Sequence, residues 1–338
     1  MSKISILDCT LRDGAYINNG IFGDNTIKGI IENLQNANIE MIEVGWLKDD
    51  KRIDGSVYYN KVRDIEPFLP VNKSSTYLVM IKYGMFNIDN LADYDGKSVD
   101  AIRLVFSKDN FEDALEYSKL IKKKGYKLFL QTANTQSYSD TQLIALSKKC
   151  NEVMPEAISI VDTCGSMYHK DLQRIFNLLN KNLNKDIKLG FHSHNNLQLS
   201  FALSVEFVSL GLSAGRDIIT DSSLCGMGRG AGDTCTELIT NYLNLKYNRN
   251  YDLDLILDTI DVYMKDIMQN YKWGYDAFIG IAGQLHCHVN NVMYLREKHN
   301  ISCKDLKAVL SSVPKDERKS CNFDAMENAY TTYVNEKF

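Results

Sequence analysis

The sequence predicts a (β/α)8 barrel with a C-terminal helical extension. Three observations carry the prediction. Eight short apolar runs alternate with amphipathic stretches through roughly the first 250 residues, the pattern of a closed parallel barrel. No GxGxxG or Walker-type loop follows any run, as an open doubly wound sheet that binds nucleotide would require. The residues able to do chemistry gather at the C-terminal ends of the runs, where a parallel barrel builds its active site.

The expected strands are 4–8, 40–45, 77–82, 101–106, 127–132, 157–162, 187–192 and 216–221. The first rests on Ile4, Ile6 and Leu7, and the seventh on Ile187 and Leu189. A helix-like segment is expected after each strand. The clearest is 26–38, with Ile27, Ile30, Ile31 and Leu34 at helical spacing; 111–124, 140–151, 169–181, 197–211 and 232–246 follow. Gly125 closes the segment ending in Lys122-Lys123-Lys124 as a C-cap would, so that basic run reads as a solvated helix end. From about residue 250 the alternation stops. Helices are expected over 254–272, 277–298, 303–312 and in a tail, with a loop at Pro314 and the charged Lys315–Lys319. The barrel is assigned to 1–248 and the extension to 249–338, packed as one unit because no low-complexity linker separates them.

Composition narrows the function. The 338 residues are 44% hydrophobic and 24% charged, as in a globular protein. A net charge of −4 and the lack of clustered Lys/Arg with aromatics argue against nucleic acid. No run approaches ~20 apolar residues, so no membrane partner is expected. The chain enters its first strand without a basic and apolar leader, so the cytoplasm is the expected compartment. The eight cysteines are scattered without a CxxC and are expected to be reduced.

Two short runs hold the candidate chemistry: Leu7-Asp8-Cys9-Thr10-Leu11-Arg12-Asp13-Gly14 and Gly190-Phe191-His192-Ser193-His194-Asn195. Side chains two apart on a strand share a face, so His192 and His194 converge on the rim that holds Asp13. One carboxylate and two imidazoles make a three-ligand metal site with open positions, the pattern of a catalytic metal. Glu43, acidic within Ile42-Glu43-Val44-Gly45, is expected to pair with Arg12. Gln131, Asp162 and Thr163 also fall at strand ends.

These runs, with the later Gly226-Met227-Gly228-Arg229-Gly230-Ala231-Gly232 loop, resemble the DRE-TIM metallolyase superfamily over roughly residues 4–240. The nearest branch in appearance is that of the 4-hydroxy-2-oxovalerate aldolases. The resemblance implies that Asp13, His192 and His194 bind Mn2+ or Mg2+, with Asp233 as a further ligand or a partner of Arg229. It implies that Arg12 holds an enolate oxygen and that Glu43 completes the Arg-Asp-Glu triad. Thr10, Gln131, Thr163 and Tyr275 are the expected substrate contacts. The implied reaction interconverts a 4-hydroxy-2-oxo acid with pyruvate and an aldehyde, and a homodimer or a partner dehydrogenase is compatible with it.

Three departures stand out. Tyr16 occupies the position where the aldolases carry a histidine base. A phenol near its usual pKa of about 10 is a poor base at neutral pH, and His286 is the candidate replacement. Asp233 stands where many relatives have asparagine. The glycine loop has Met227-Gly228-Arg229 in place of the Glu-Arg of the Claisen synthases, which weakens the alternative of a condensing enzyme acting on a 2-oxo acid and an acyl-CoA. A second alternative is an Fe(II) oxygenase, since two His and one carboxylate suit that metal. The fallback is a non-catalytic barrel.

Overall fold

The computed structural model describes residues 3–337. Nine strands run in order: β1 (Ile4–Asp8), β2 (Met41–Leu47), β3 (Tyr58–Tyr59), β4 (Thr76–Lys82), β5 (Ala101–Phe106), β6 (Lys127–Thr132), β7 (Ala157–Asp162), β8 (Lys188–Ser193) and β9 (Ile218–Ser222). Neighbours are parallel throughout, in the order β1-β9-β8-β7-β6-β5-β4-β2, and β1 pairs with β2 to close the ring. The two-residue β3 only extends the edge of β2. This is the eight-stranded parallel barrel that the alternating runs predict.

Strands walled on both faces need apolar residues throughout. Inside, Leu7, Met41, Leu78, Ala101, Phe129, Ala157 and Ile219 fill the lower layers. Outside, helices such as Asp24–Asn36 bury Ile27, Ile30, Ile31 and Leu34 against the sheet. Near the top the interior turns polar: Glu43, Arg103, Ser159 and Asp221 are all buried.

Two crossovers depart from the expected helices. After β2 the chain forms β3 and the 3-10 turns Val62–Asp64 and Glu66–Phe68; after β4 it forms only the turn Ile88–Asn90. Pro67 and Pro70 remove backbone donors in the first, and in the second Gly84, Asn87, Asp89, Asn90, Asp93, Asp95 and Gly96 favour turns over helix.

The extension also differs in detail. The helix foreseen over 254–272 contains a π-turn, Ile260–Met264, and Ile256, Met264 and Ile267 join the barrel's core. The helix foreseen over 277–298 is broken into Ala277–Gln284 and Val289–His299, with His286 at φ +53° in the break. The charged segment after Pro314 holds one helical turn, Lys315–Arg318. From Ile279 to Met326 the helices share a core of their own, which reaches the barrel through Ala231 of the glycine loop.

Candidate functional site

The site begins where β1 ends. Asp8 turns the chain by accepting hydrogen bonds from the Thr10 amide (2.9 Å) and the Thr236 hydroxyl (2.6 Å). A single helical turn, Thr10–Asp13, then swings Arg12 and Asp13 over the barrel top. Thr10 itself faces away from the cavity and accepts the Leu224 amide at 2.8 Å, so it braces the neighbouring loop rather than a substrate.

Arg12 is almost fully enclosed. Its Nε donates to Glu43 Oε2 at 2.7 Å and its Nη1 to Asp13, which is the pairing foreseen for Glu43. Its Nη2 is buried with no partner. Trp46 Nε1 fixes the Arg12 carbonyl at 2.9 Å. Burial opposes the guanidinium charge, but Asp13 and Glu43 outweigh it and raise its pKa further.

Asp13, His192, His194 and Asp233 are all buried, and their ligand atoms lie within 4.8 Å of one another. His192 Nε2 is 3.4 Å from Asp13 Oδ2, and the two imidazoles meet edge to face. A backbone bridge aligns His194 with Asp233. Asp233 does not pair with Arg229; instead the Arg229 amide donates to Asp13 Oδ1 at 3.0 Å. Behind His192, its Nδ1 lies 3.1 Å from Asp221 Oδ2, the kind of outer contact that orients metal-binding histidines.

Two observations test whether a divalent cation fits. His194 Nδ1 and Asp233 Oδ1 are 2.8 Å apart, yet both are buried without a well-formed hydrogen bond. Four buried carboxylates, Asp13, Glu43, Asp221 and Asp233, also face only two buried guanidiniums, Arg12 and Arg103. This surplus of negative charge requires a counter-charge, which a divalent cation or a protonated imidazole can supply. Burial alone would discharge His192, but Asp13 and Asp221 outweigh it and push its pKa to about 9. The quartet fits a divalent cation.

A cavity of about 750 Å3 opens above it, and Arg12, Asp13, His192, His194, Gln131 and Thr163 lie in its wall. Gln131 Oε1 is buried and unpartnered, whereas the Thr163 hydroxyl accepts the Asn134 amide at 2.7 Å. Tyr16 also faces the cavity, edge-on to Trp46 and 3.7 Å beneath the Arg229 guanidinium. Burial raises its pKa against the pull of Arg229, so the phenol keeps its proton.

Two expected contacts lie elsewhere. Tyr275 is 63% exposed and borders a separate cavity of about 340 Å3 with Trp273. His286 does not line the main cavity; its Nδ1 meets Ser166 Oγ at 3.0 Å. The helix break brings in His288 instead, with Nε2 3.2 Å from Arg229 Nη1. The sequence reading missed Arg103 and Asp221, and gave His288 no part in proton transfer. Arg103 gave the same signal as Glu43, a charge inside an apolar strand.

Comparison with known proteins agrees with this geometry. Residues 102–262 match the HMGL-like family model. The chain is 27% identical to the oxaloacetate decarboxylase of Mycobacterium tuberculosis over 256 residues, 75% of this chain and 74% of that one. It is 24% identical to a 4-hydroxy-2-oxovalerate aldolase of Pseudoalteromonas translucida over 312 residues, 90% of this chain and 89% of that one. Among solved structures, the N-terminal domain of a candidate aldolase from Bacteroides vulgatus superposes with a TM-score of 0.73 at 25% identity, covering 88% of this chain and 98% of that one. The chain thus resembles the HMGL-like (DRE-TIM) proteins, matching their model over residues 102–262, and the relatives it matches carry the names of an aldolase and a decarboxylase, both of which break carbon–carbon bonds.

Proposed function

We propose that the protein is a divalent-metal-dependent aldolase that cleaves a 4-hydroxy-2-oxo acid to pyruvate and an aldehyde, or joins the two. One observation carries the reading: the Arg12 guanidinium, with Nη2 unpartnered, shares a cavity with Asp13, His192 and His194 of the buried Asp/His/His/Asp quartet. Asp13, His192, His194 and Asp233 would hold Mn2+ or Mg2+, which when bound supplies Lewis acidity toward the carbonyl of a 2-oxo acid.

The protein's own residues do the rest. Breaking the outer C–C bond of the carbon beside that carbonyl leaves its electron pair as an enolate. A fixed guanidinium with a free N–H contributes most where that negative charge develops. Glu43 and Asp13 hold Arg12 in place, so little reorganisation is needed during reaction. Gln131, with its free carbonyl oxygen, offers a contact to a substrate hydroxyl. His288 replaces His286 as the candidate acceptor of the 4-hydroxyl proton, and Tyr16, held protonated, is a donor.

A second reading has its own support. Tyr16 is too weakly acidic to serve as a base, and burial beside Arg229 pushes His288 down to about 3. The cavity therefore lacks a strong base. Retro-aldol cleavage needs one, but loss of CO2 from a 3-carboxy-2-oxo acid reaches the same enolate without one. Kinship to an oxaloacetate decarboxylase agrees with that route. An Fe(II) oxygenase gains no support from these relatives.

The test is pyruvate release from a panel of 4-hydroxy-2-oxo acids and from oxaloacetate, with Mn2+, Mg2+ or chelator. Metal-dependent release from the hydroxy acids, abolished in His192→Ala, supports the aldolase. Release from oxaloacetate alone moves the assignment to the decarboxylase. No release from either overturns both.

A further inference from the structure

The cavity extends well beyond what a three-carbon oxo acid would fill. Its 750 Å3 lies in the range of pockets that enclose much larger ligands. Its outer wall is cationic. Lys82 ends β4, Lys108 follows β5, and Lys319 arrives from the extension; all three line the same cavity. Asp109 and Asp316 share this wall, and Asp316 lies 3.5 Å from Lys319. The side chains of Lys82 and Lys108 make no ion pair or hydrogen bond among the described residues. The whole chain carries a net charge of −4, so these lysines do not reflect a generally basic surface.

The third lysine is delivered by a built loop. Asn291, fully buried, donates from Nδ2 to the carbonyls of Arg318 (3.2 Å) and Ser320 (2.8 Å), and its Oδ1 accepts the Asn322 amide at 3.0 Å. Arg318, 7% exposed, donates to the carbonyls of Leu285, Leu310 and Val313. The Arg318 carbonyl in turn accepts the His288 amide at 2.8 Å. A surface charge run needs no such anchoring. Here both sides of Lys319 are tied to buried groups, and the loop is held at the cavity wall.

We propose that the outer end of the cavity is an anion subsite. Lys82, Lys108 and Lys319 would hold a carboxylate or phosphate at the far end of the substrate, on the half that leaves as the aldehyde. The proposal rests on the lyase reading for the position of the reacting bond, but anion recognition can be measured without turnover.

Calorimetry with the full chain in chelator would use succinate and inorganic phosphate as probes, comparing wild type with Lys82→Gln/Lys108→Gln. Binding should weaken by about tenfold for each lysine removed, as for lost charge-assisted hydrogen bonds. In parallel, kcat/KM would be measured for 4-hydroxy-2-oxo acids ending in methyl, carboxylate or phosphate. Preference for an anionic end, with that selectivity reduced in the double variant, supports the subsite, and the better of the two anions identifies its ligand. Anion binding lost in the variant without pyruvate release from any substrate keeps the subsite and overturns the aldolase. Equal anion binding by both proteins, or best turnover of the methyl-ended acid, overturns the subsite.

Discussion

Arg103 on β5 reaches across the barrel interior, its Nη2 donating to Asp221 on β9 at 2.6 Å and to the Ser159 hydroxyl at 3.0 Å, and its Nη1 to Glu43 at 3.3 Å. It thereby joins the carboxylate that holds Arg12 to the carboxylate that orients His192. Replacing Arg103 with methionine would leave two buried carboxylates short of a cation. A destabilisation of about 3–5 kcal/mol is expected, read from urea unfolding of the metal-free protein. A loss below about 1 kcal/mol would mean that the network contributes little to the fold.

Asp221 touches His192 from behind without belonging to the proposed ligand quartet. Asp221→Asn keeps the shape and removes the charge. Mn2+ affinity should fall about 10- to 100-fold, as for other groups that orient a metal-binding histidine. Competition against a fluorescent chelator measures it, and unchanged affinity would remove His192 from the assigned ligands.

Tyr16 separates the two proposed reactions. Tyr16→Phe deletes only the hydroxyl above the metal quartet. If that hydroxyl takes part in proton movement, kcat for cleavage of a 4-hydroxy-2-oxo acid drops about 10²- to 10⁴-fold. Loss of CO2 from oxaloacetate removes no hydroxyl proton and only adds one to the enolate, as cleavage also does, so a role confined to the 4-hydroxyl proton leaves it changed by only a few-fold. Equal losses on both substrates would place Tyr16 at the enolate protonation the two reactions share, and no loss on either would reduce it to a packing group against Trp46.

His288 gives a pH signature. Burial, then the nearby Arg229 charge, lowers its folded pKa to about 3, against 6.5 when free. Between those values the unfolded chain binds a proton that the folded chain refuses, so stability rises with pH. The contribution is fully present above pH 6.5 and is lost as pH falls toward 3. Relative to wild type, His288→Gln should therefore gain about 1–2 kcal/mol in stability on going from pH 7.5 to 5. A wild-type-to-variant difference that is flat with pH would mean that His288 titrates normally.

Much of this was legible in the chain. Strands buried on both faces must be continuously apolar, so β1, β5, β6 and β7 were readable to the residue. His192 and His194 were readable as a pair because two-residue spacing on a strand fixes a common face. Where the reading failed, the cause was tertiary. His286 was the expected base on a single helix over 277–298, and the break with its left-handed turn at His286 brings His288 to the cavity instead. Thr10 and Tyr275 lie close in sequence to residues that matter, but hydrogen bonding took the first away and exposure the second. Arg103 needed its partners, which come from strands far apart in the chain.

The register shift in β2 has a further consequence. Between Glu43 and Trp46 this strand carries one more residue than β4 beside it. Gly45, at φ +144°, takes up the slack, and a Cβ there would stand 2.2 Å from the Val57 carbonyl. Three residues apart on a regularly pleated strand, Glu43 and Trp46 would have opposite parity, one facing the barrel axis and the other the helical layer. With the surplus residue, one strand supplies both the carboxylate beneath Arg12 and the indole that clasps its carbonyl. A β2 of the same length paired residue for residue with β4 would thus leave the barrel countable as eight strands while turning Trp46 outward. Arg12 would then be gripped by its side chain alone, and a change of register invisible to the architecture would loosen the guanidinium beside the metal quartet.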